Sequence, residues 1–225
     1  MLKNISNLGD AALYCDFGIQ VNKATNLEVI KYFNTIREKK IKGINNLTPS
    51  YNKLIISFDL RVTNFSEIKN KIENLDTTIE QSKNNKKIEV PVCCDEIFAL
   101  DKSRLEKKLN LSYQEILKKF FNKEYFCYMT GFIAGMPFLG DIDKNLRTQR
   151  LETPRVKVPQ GSVGITEQFA NIYTFDSPGG WNVIGNTPLK VFDDSKERDP
   201  NLINPGDTVT FKKISRQEYE GSNDK

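Results

Sequence analysis

Two arginines flank a Thr-Pro turn in the stretch RLETPRVKVPQGSVGI, which covers residues 150–165. A guanidinium presents parallel N–H donors and can bind a carboxylate or a phosphate in a two-pronged way. We therefore predict Arg150 and Arg155 as catalytic residues that bind an anion, with Tyr173 as a third that orients bound groups. Gln160 is predicted to contact the substrate or a partner. The competing interpretation is that each arginine is a solvated side chain on a barrel wall.

The stretch TFDSPGGWNVIGNTP, residues 174–188, holds the single tryptophan of the chain. Pro178 followed by Gly179 predicts a type II turn, in which the glycine supplies a positive φ. We expect Gly179 and Gly180 to let a ligand or a partner come close. Trp181 would then form an apolar wall with one N–H donor. A core tryptophan over a tight turn is the alternative interpretation.

A glycine-rich loop, GFIAGMPFLGDID, covers residues 131–143. It is too rich in glycine for a strand and too apolar for a solvated loop. It therefore either packs under a barrel or lines a pocket. We predict that Phe138 in this loop, together with Ser177, contacts the substrate or a partner.

The chain contains no histidine. This excludes Ser-His-Asp and Cys-His catalysis, so acid–base chemistry falls to Asp, Glu, Lys, Tyr, Cys or a bound cofactor. The four cysteines form no C-x-x-C pair. We therefore predict no metal site, and reduced thiols in a cytoplasmic protein. No phosphate loop of the G-x-x-x-x-G-K-[ST] type is present.

The charge pattern argues for a small-molecule substrate. The 33 basic and 29 acidic residues give a net charge of +4, which is close to balance. We therefore expect no nucleic-acid partner. The N-terminal sequence has no signal-peptide pattern, and no apolar run reaches the length of a membrane span, so we expect no membrane partner.

The elements that must position these residues indicate an α+β chain of two domains. In residues 1–85, strand-like runs alternate with two helices that we predict to begin at Thr25 or Asn26 and at Ser66. An apolar stripe on the second helix, from Ile68 to Ile79, should face the core. The polar sequence QSKNNKK marks the domain boundary.

Residues 86–215 form the second predicted domain. A capping box from Ser112 to Glu115 opens one of its helices. Short β-type runs punctuated by glycine and proline then follow, a pattern typical of a barrel or a sandwich. We expect residues 216–225 to be a disordered tail.

These stretches, taken in order, resemble the allophanate hydrolase subunit 1 family, which includes the kinase inhibitor KipI and the B subunit of 5-oxoprolinase. The first domain matches through LGDAALYCDFG and PSYNKLIISFD. The second matches through YMTGFIAGMPFLGDID, TPRVKVPQGSVGI, IYTFDSPGGWNVIGNTP and NPGDTVTF. The pairing of TPR-x-x-VP-x-GSVGI with SPGGW-x-x-IG-x-TP is the most specific part of the resemblance.

The resemblance implies a small α+β domain followed by a cyclophilin-like β-barrel. It also implies work with two partners, the homologous C subunit and the A subunit of 5-oxoprolinase, in an assembly that hydrolyses 5-oxoproline to glutamate using ATP and Mg. On this interpretation the single chain is inactive by itself. Two alternatives remain open: an inhibitor of a histidine kinase, or a component of an allophanate hydrolase or urea amidolyase type of system.

The chain departs from the family pattern at several positions. Members usually carry arginine where this chain has Leu151 and Asn186, and often histidine where it has Phe120. We expect these differences to remove polar groups near the cleft and to leave the fold intact.

Overall fold

The computed structural model describes residues 2–77 and 85–222 and divides the chain into two compact units, Met1–Asn85 and Lys86–Lys225. Each unit is built around its own cluster of buried apolar side chains. Within the described residues, no helix is long and apolar enough to cross a membrane.

The first unit is a four-stranded antiparallel sheet with two helices. Its elements are β1 (Asn4–Asn7), β2 (Ala12–Asp16), α1 (Lys23–Lys39), β3 (Ile44–Pro49), β4 (Lys53–Phe58) and α2 (Phe65–Glu73). The strands lie in the order β1-β2-β4-β3. Every second residue of β4 is buried, as the period of a strand requires when only one face meets the core. Ile79, which we predicted on the apolar face of α2, lies outside the described residues.

Both helices begin upstream of the predicted positions. Asn22 caps α1 in place of Thr25 or Asn26, and Asn64 caps α2 in place of Ser66. In each case the asparagine side chain accepts a hydrogen bond from a backbone N–H of the first turn. Asparagine and serine are similarly good caps, so composition alone did not identify which residue ends the extended backbone.

The second unit contains a closed β-barrel. Its elements are β5 (Lys87–Cys93), α3 (Lys102–Leu109), α4 (Tyr113–Phe121), β6 (Glu124–Thr130), β7 (Pro137–Gly140), a 3-10 helix (Lys144–Leu146), β8 (Arg155–Val158), β9 (Ser162–Thr166), β10 (Phe169–Ile172), β11 (Ser177–Gly179), β12 (Asn182–Asn186), β13 (Thr208–Ile214) and α5 (Arg216–Ser222). The barrel runs β10-β7-β6-β13-β5-β12-β9 and closes where β9 pairs with β10. Strands β8 and β11 form a separate two-stranded sheet.

The predicted α+β class with a barrel in the second part is confirmed. The predicted capping box of Ser112 and Glu115 is present at the start of α4. Phe120, which we expected near the cleft, instead lies in the core of the second unit, with ring centroids 4.7 Å from Phe211 and 5.3 Å from Tyr125. Its apolar side chain is therefore explained by packing.

The predicted disordered tail was wrong for residues 216–222, which form α5; the last three residues lie outside the described part. Ser215 and Glu218 bond reciprocally at the start of this helix, through the Glu218 N–H to the serine Oγ at 3.2 Å and the Ser215 N–H to the carboxylate at 2.7 Å. Tyr219 packs on Phe98 with ring centroids 4.5 Å apart. The S-x-x-E spacing of SRQE is a capping-box signal, so the sequence itself indicates a helix at this position.

Candidate functional site

The two-stranded sheet of β8 and β11 brings distant predicted residues together. Arg155 lies opposite Gly179, and Ser177 lies opposite Val158. The predicted type II turn at Pro178 and Gly179 was therefore wrong: these residues belong to a strand, and Gly179 does not adopt a positive φ. The presence of a glycine at position 179 therefore has a different physical reason.

That reason is the side chain of Tyr173. A Cβ placed on Gly179 would overlap the Tyr173 hydroxyl and lie 2.7 Å from two ring carbons. The space that we expected a ligand or a partner to use is thus filled by a residue of the same chain. Gly180 differs, because a Cβ there would meet Pro154 at 3.6 Å, an ordinary van der Waals contact.

Trp181 is buried, with 5% of its surface exposed. Its ring meets Phe138 edge-on at 5.6 Å between centroids, and the Arg150 guanidinium carbon lies 6.0 Å from the ring centroid. Phe138 is itself buried on strand β7, so part of the predicted loop is a barrel strand. In the isolated chain the indole packs as a core side chain; it does not wall an open cleft.

Arg155 forms an ion pair that the sequence did not reveal. Its Nη2 donates to Asp101 Oδ1 at 2.7 Å, and Asp101 Oδ2 accepts from the Val183 backbone N–H at 2.7 Å. Only 4% of the Asp101 side chain is exposed, against 27% of that of Arg155. One prong of the guanidinium is therefore already used inside the chain, and Nη1 remains for a further contact.

Among the residues that the structure describes, four buried polar atoms around these strands have no hydrogen-bond partner: Asn171 Oδ1, Tyr173 OH, Ser177 Oγ and Arg155 Nη1. Burying a polar group without a partner costs roughly 1–3 kcal/mol, so such groups are rarely left unpaired without a role. Three of the four can donate. The cluster is suited to binding an oxyanion rather than to transferring protons.

The Tyr173 hydroxyl remains a neutral donor at physiological pH. Burial raises its pKa, and nearby Asn171, the Trp181 backbone and the positive charges of Arg150 and Arg155 partly oppose that rise. The Asn171 side chain and the Trp181 backbone lie beside the hydroxyl, but within the described residues neither meets the strict geometry of a hydrogen bond. The phenol is thus held close to two guanidinium groups without a well-formed hydrogen bond of its own.

Gln160 lies in a different setting from the other predicted residues. Its backbone N–H donates to Asp176 at 2.8 Å, and its carbonyl accepts from the Asn186 side chain at 2.8 Å. It lines a surface pocket of about 380 Å³ together with Lys190 and Tyr219. Asn186, where the family usually has arginine, also accepts from the Tyr219 hydroxyl, so it serves to hold α5.

The described residues contain no cluster of three or more cysteine or acidic side chains that could hold a metal ion. All four cysteines are buried thiols, and burial raises the pKa of Cys15 and Cys94 to about 12. A thiol of that pKa remains protonated at neutral pH and is a poor nucleophile. The functional groups available at the site are therefore guanidinium, phenol, hydroxyl and amide groups.

We expect Tyr173→Phe to leave stability unchanged or to raise it by up to about 1 kcal/mol, because the substitution removes a buried hydroxyl that lacks a partner. Any activity that uses this hydroxyl should fall about tenfold. Urea denaturation and steady-state kinetics measure the two effects. Tyr125→Phe is the matched control, because that buried hydroxyl donates to the Phe120 carbonyl at 2.8 Å. The control should lose stability and keep activity; the opposite pattern would contradict the prediction.

Comparisons with known proteins agree with this architecture. The family described as "Carboxyltransferase domain, subdomain C and D" matches residues 3–203. A Bacillus subtilis protein named as the B subunit of 5-oxoprolinase is 33% identical over 96% of this chain and 94% of its own length.

Solved structures share the fold. The structure of TTHA0988 superposes with a TM-score of 0.83 at 27% identity over 92% of this chain, which spans 40% of that longer chain. The K. lactis urea amidolyase has a TM-score of 0.77 at 16% identity, covering 96% of this chain and 15% of that one. At that identity the likeness concerns the fold alone.

Proposed function

This chain belongs to the carboxyltransferase domain, subdomain C and D family, and from that membership we propose that it is the B subunit of an ATP-dependent 5-oxoprolinase. In this role it hydrolyses 5-oxo-L-proline to L-glutamate together with the homologous C subunit and with the A subunit. The Bacillus subtilis relative, named as a 5-oxoprolinase B subunit, supports the proposal, since the two chains correspond over nearly their whole lengths. We also propose a cytoplasmic location, in keeping with the four thiols.

The observation that carries the proposal is the group of buried polar atoms without partners at Asn171, Tyr173, Ser177 and Arg155. A chain that functioned alone would be expected to satisfy such groups itself. Hydrogen-bond donors left unused beside two guanidiniums suit a site that is completed by a substrate and by a second protein of the assembly.

The proposed chemistry requires activation of a lactam, which is a poor electrophile. ATP would transfer its terminal phosphoryl group to the lactam oxygen, with ADP leaving. A first water would add to the former carbonyl carbon and the ring C–N bond would break, which gives an acyl phosphate of glutamate; a second water would hydrolyse that acyl phosphate and release phosphate. The proposed role of this chain is to bind and orient the reactants. Arg155 Nη1 and Arg150 would hold anionic oxygens, and the neutral phenol of Tyr173 would donate to one of them.

Mg would enter this site with the nucleotide or through another protein of the assembly, because the described residues bring no group of acidic side chains together to hold it. The side chains of this chain would then act on the bound phosphates and the substrate carboxylate. This division of labour explains why we propose that the single chain is inactive.

Reconstitution tests the proposal. We expect the purified chain to release neither glutamate nor phosphate from 5-oxoproline and ATP, and we expect turnover when it is co-purified with the A and C subunits. The control is the same preparation of those two subunits without this chain, which should be silent. Turnover by the lone chain would contradict the requirement for partners. Silence of the complete mixture would contradict the oxoprolinase assignment and would favour inhibition of a histidine kinase or a urea-degrading system.

A further inference from the structure

The consecutive residues 181, 182 and 183, at the start of strand β12, each hold one arginine in place. Arg150 lies over the Trp181 ring. Arg104 on helix α3 donates from Nε to Asn182 Oδ1 at 2.9 Å. The Arg104 guanidinium also donates from Nη2 to the Arg150 carbonyl at 3.3 Å, which links these two arginines.

The third arginine is held through a carboxylate. Asp101 accepts from the Val183 backbone N–H with one oxygen and from Arg155 with the other. Three guanidiniums, brought from a helix, a loop and the two-stranded sheet, thus share one short stretch of strand as their support. We call this set, Arg104, Arg150 and Arg155, the arginine face.

The arginine face carries an excess of positive charge. Asp101 compensates Arg155, whereas within residues 2–77 and 85–222 neither Arg104 nor Arg150 pairs with a carboxylate. Two positive charges are therefore left over. Two arginines without a carboxylate partner attract an anion, and guanidinium groups match the oxygens of such an anion.

Neutral donors adjoin the arginine face. The hydroxyls of Tyr173 and Ser177 are buried, with 1% and 8% of the residue surface exposed, and neither makes a well-formed hydrogen bond within the described part of the chain. Arg155 Nη1 is also buried and unpartnered. Buried hydrogen-bond donors without a partner therefore lie next to arginines without a carboxylate. This is a second observation that points to a ligand, and it does not depend on the charge count.

We infer that the arginine face is a binding site for a phosphoryl group, and that this chain therefore contributes contacts to the phosphates of the nucleotide. Two uncompensated charges match a phosphoryl dianion, whereas a carboxylate would neutralise one of them. The inference deepens the proposed function and rests on it only for the source of the phosphoryl group. It also assigns a role to Arg104, which the sequence reasoning missed because nothing in its local sequence distinguishes it from other helix arginines.

Binding measurements test the inference. The probes are pyrophosphate, a non-hydrolysable ATP analogue and 5-oxoproline, titrated calorimetrically into the isolated chain and into the assembled complex. We expect pyrophosphate and the analogue to bind, with at least a tenfold loss of affinity in Arg104→Gln and in Arg150→Gln. Affinity should also fall as salt rises, because the contact is ionic.

Arg147→Gln is the matched control, since Arg147 is an exposed arginine close to Arg150 in the chain and outside the arginine face. It should bind as the wild type does. No binding of either phosphate probe in both preparations, or equal affinities in all variants, would overturn the inference. Binding of 5-oxoproline alone, lost in the same two variants, would overturn the phosphoryl assignment and give the site to a carboxylate. Phosphate binding without turnover would leave the inference standing and count against the proposed function.

Discussion

Replacing Arg155 by alanine is expected to lower the free energy of unfolding by about 3 kcal/mol, the lower end of the range for breaking a buried ion pair. The substitution leaves Asp101 with 4% of its side chain exposed and without its cationic partner. We place the effect at the lower end because the Arg155 side chain is partly exposed. Urea denaturation of the isolated chain measures it.

A double-mutant cycle with Asp101→Asn shows whether the pair is the cause. An amide at position 101 can still accept from the Val183 N–H and carries no charge that needs Arg155. The double variant should therefore lose less stability than the two single variants lose together, and the difference, the coupling energy, should be about 1–3 kcal/mol. A loss below about 1 kcal/mol in Arg155→Ala, or simple additivity, would contradict a structural role for the pair.

This stability cost changes how Arg155 must be tested for function. Loss of activity in Arg155→Ala would reflect partial unfolding as well as loss of a binding group. Arg155→Lys is more informative, since an ammonium can still pair with Asp101 but cannot present a second prong to an anion. Retained stability with lost phosphate binding is the expected combination.

The architecture could be predicted because it depends on local patterns. The helical period, the Ser112 to Glu115 capping box and the short strands between glycines and prolines are all readable in the sequence and agree with the elements of both units. Errors arose where two residues were similarly good caps, as with Asn64 and Ser66. Helix α5 also begins with a capping-box pattern, Ser215 to Glu218, so its start is readable in the sequence as well.

The candidate site could be predicted only in part, because its contacts join residues far apart in the chain. Arg155 and Asp101 are separated by 54 positions, and Arg104 and Asn182 by 78. Composition and spacing identify arginines that are available, but the fold decides which carboxylate one of them meets. The same limit explains Gly179, whose role depends on the ring of Tyr173.

Gly179→Ala is expected to destabilise the chain by about 2 kcal/mol through overpacking. The added methyl group would occupy the space of the Tyr173 hydroxyl and approach two ring carbons at 2.7 Å. Only 1% of Tyr173 is exposed, so its ring cannot move into solvent without opening the core. Thermal and urea denaturation measure the loss.

The neighbouring glycine is the control that separates packing from function. Gly180→Ala places its methyl group 3.6 Å from Pro154, at a backbone φ that alanine adopts readily, so stability should change by less than about 0.5 kcal/mol. The double variant Gly179→Ala, Tyr173→Phe should recover only part of the loss, because the ring carbons still crowd the methyl group once the hydroxyl is gone. Equal stability of the two glycine variants would show that the ring of Tyr173 yields, and that Gly179 is not required by packing. If Gly180→Ala keeps its stability but loses turnover in the assembly, the open side of this glycine is where the substrate or the partner approaches, as the sequence predicted for the Pro-Gly-Gly stretch.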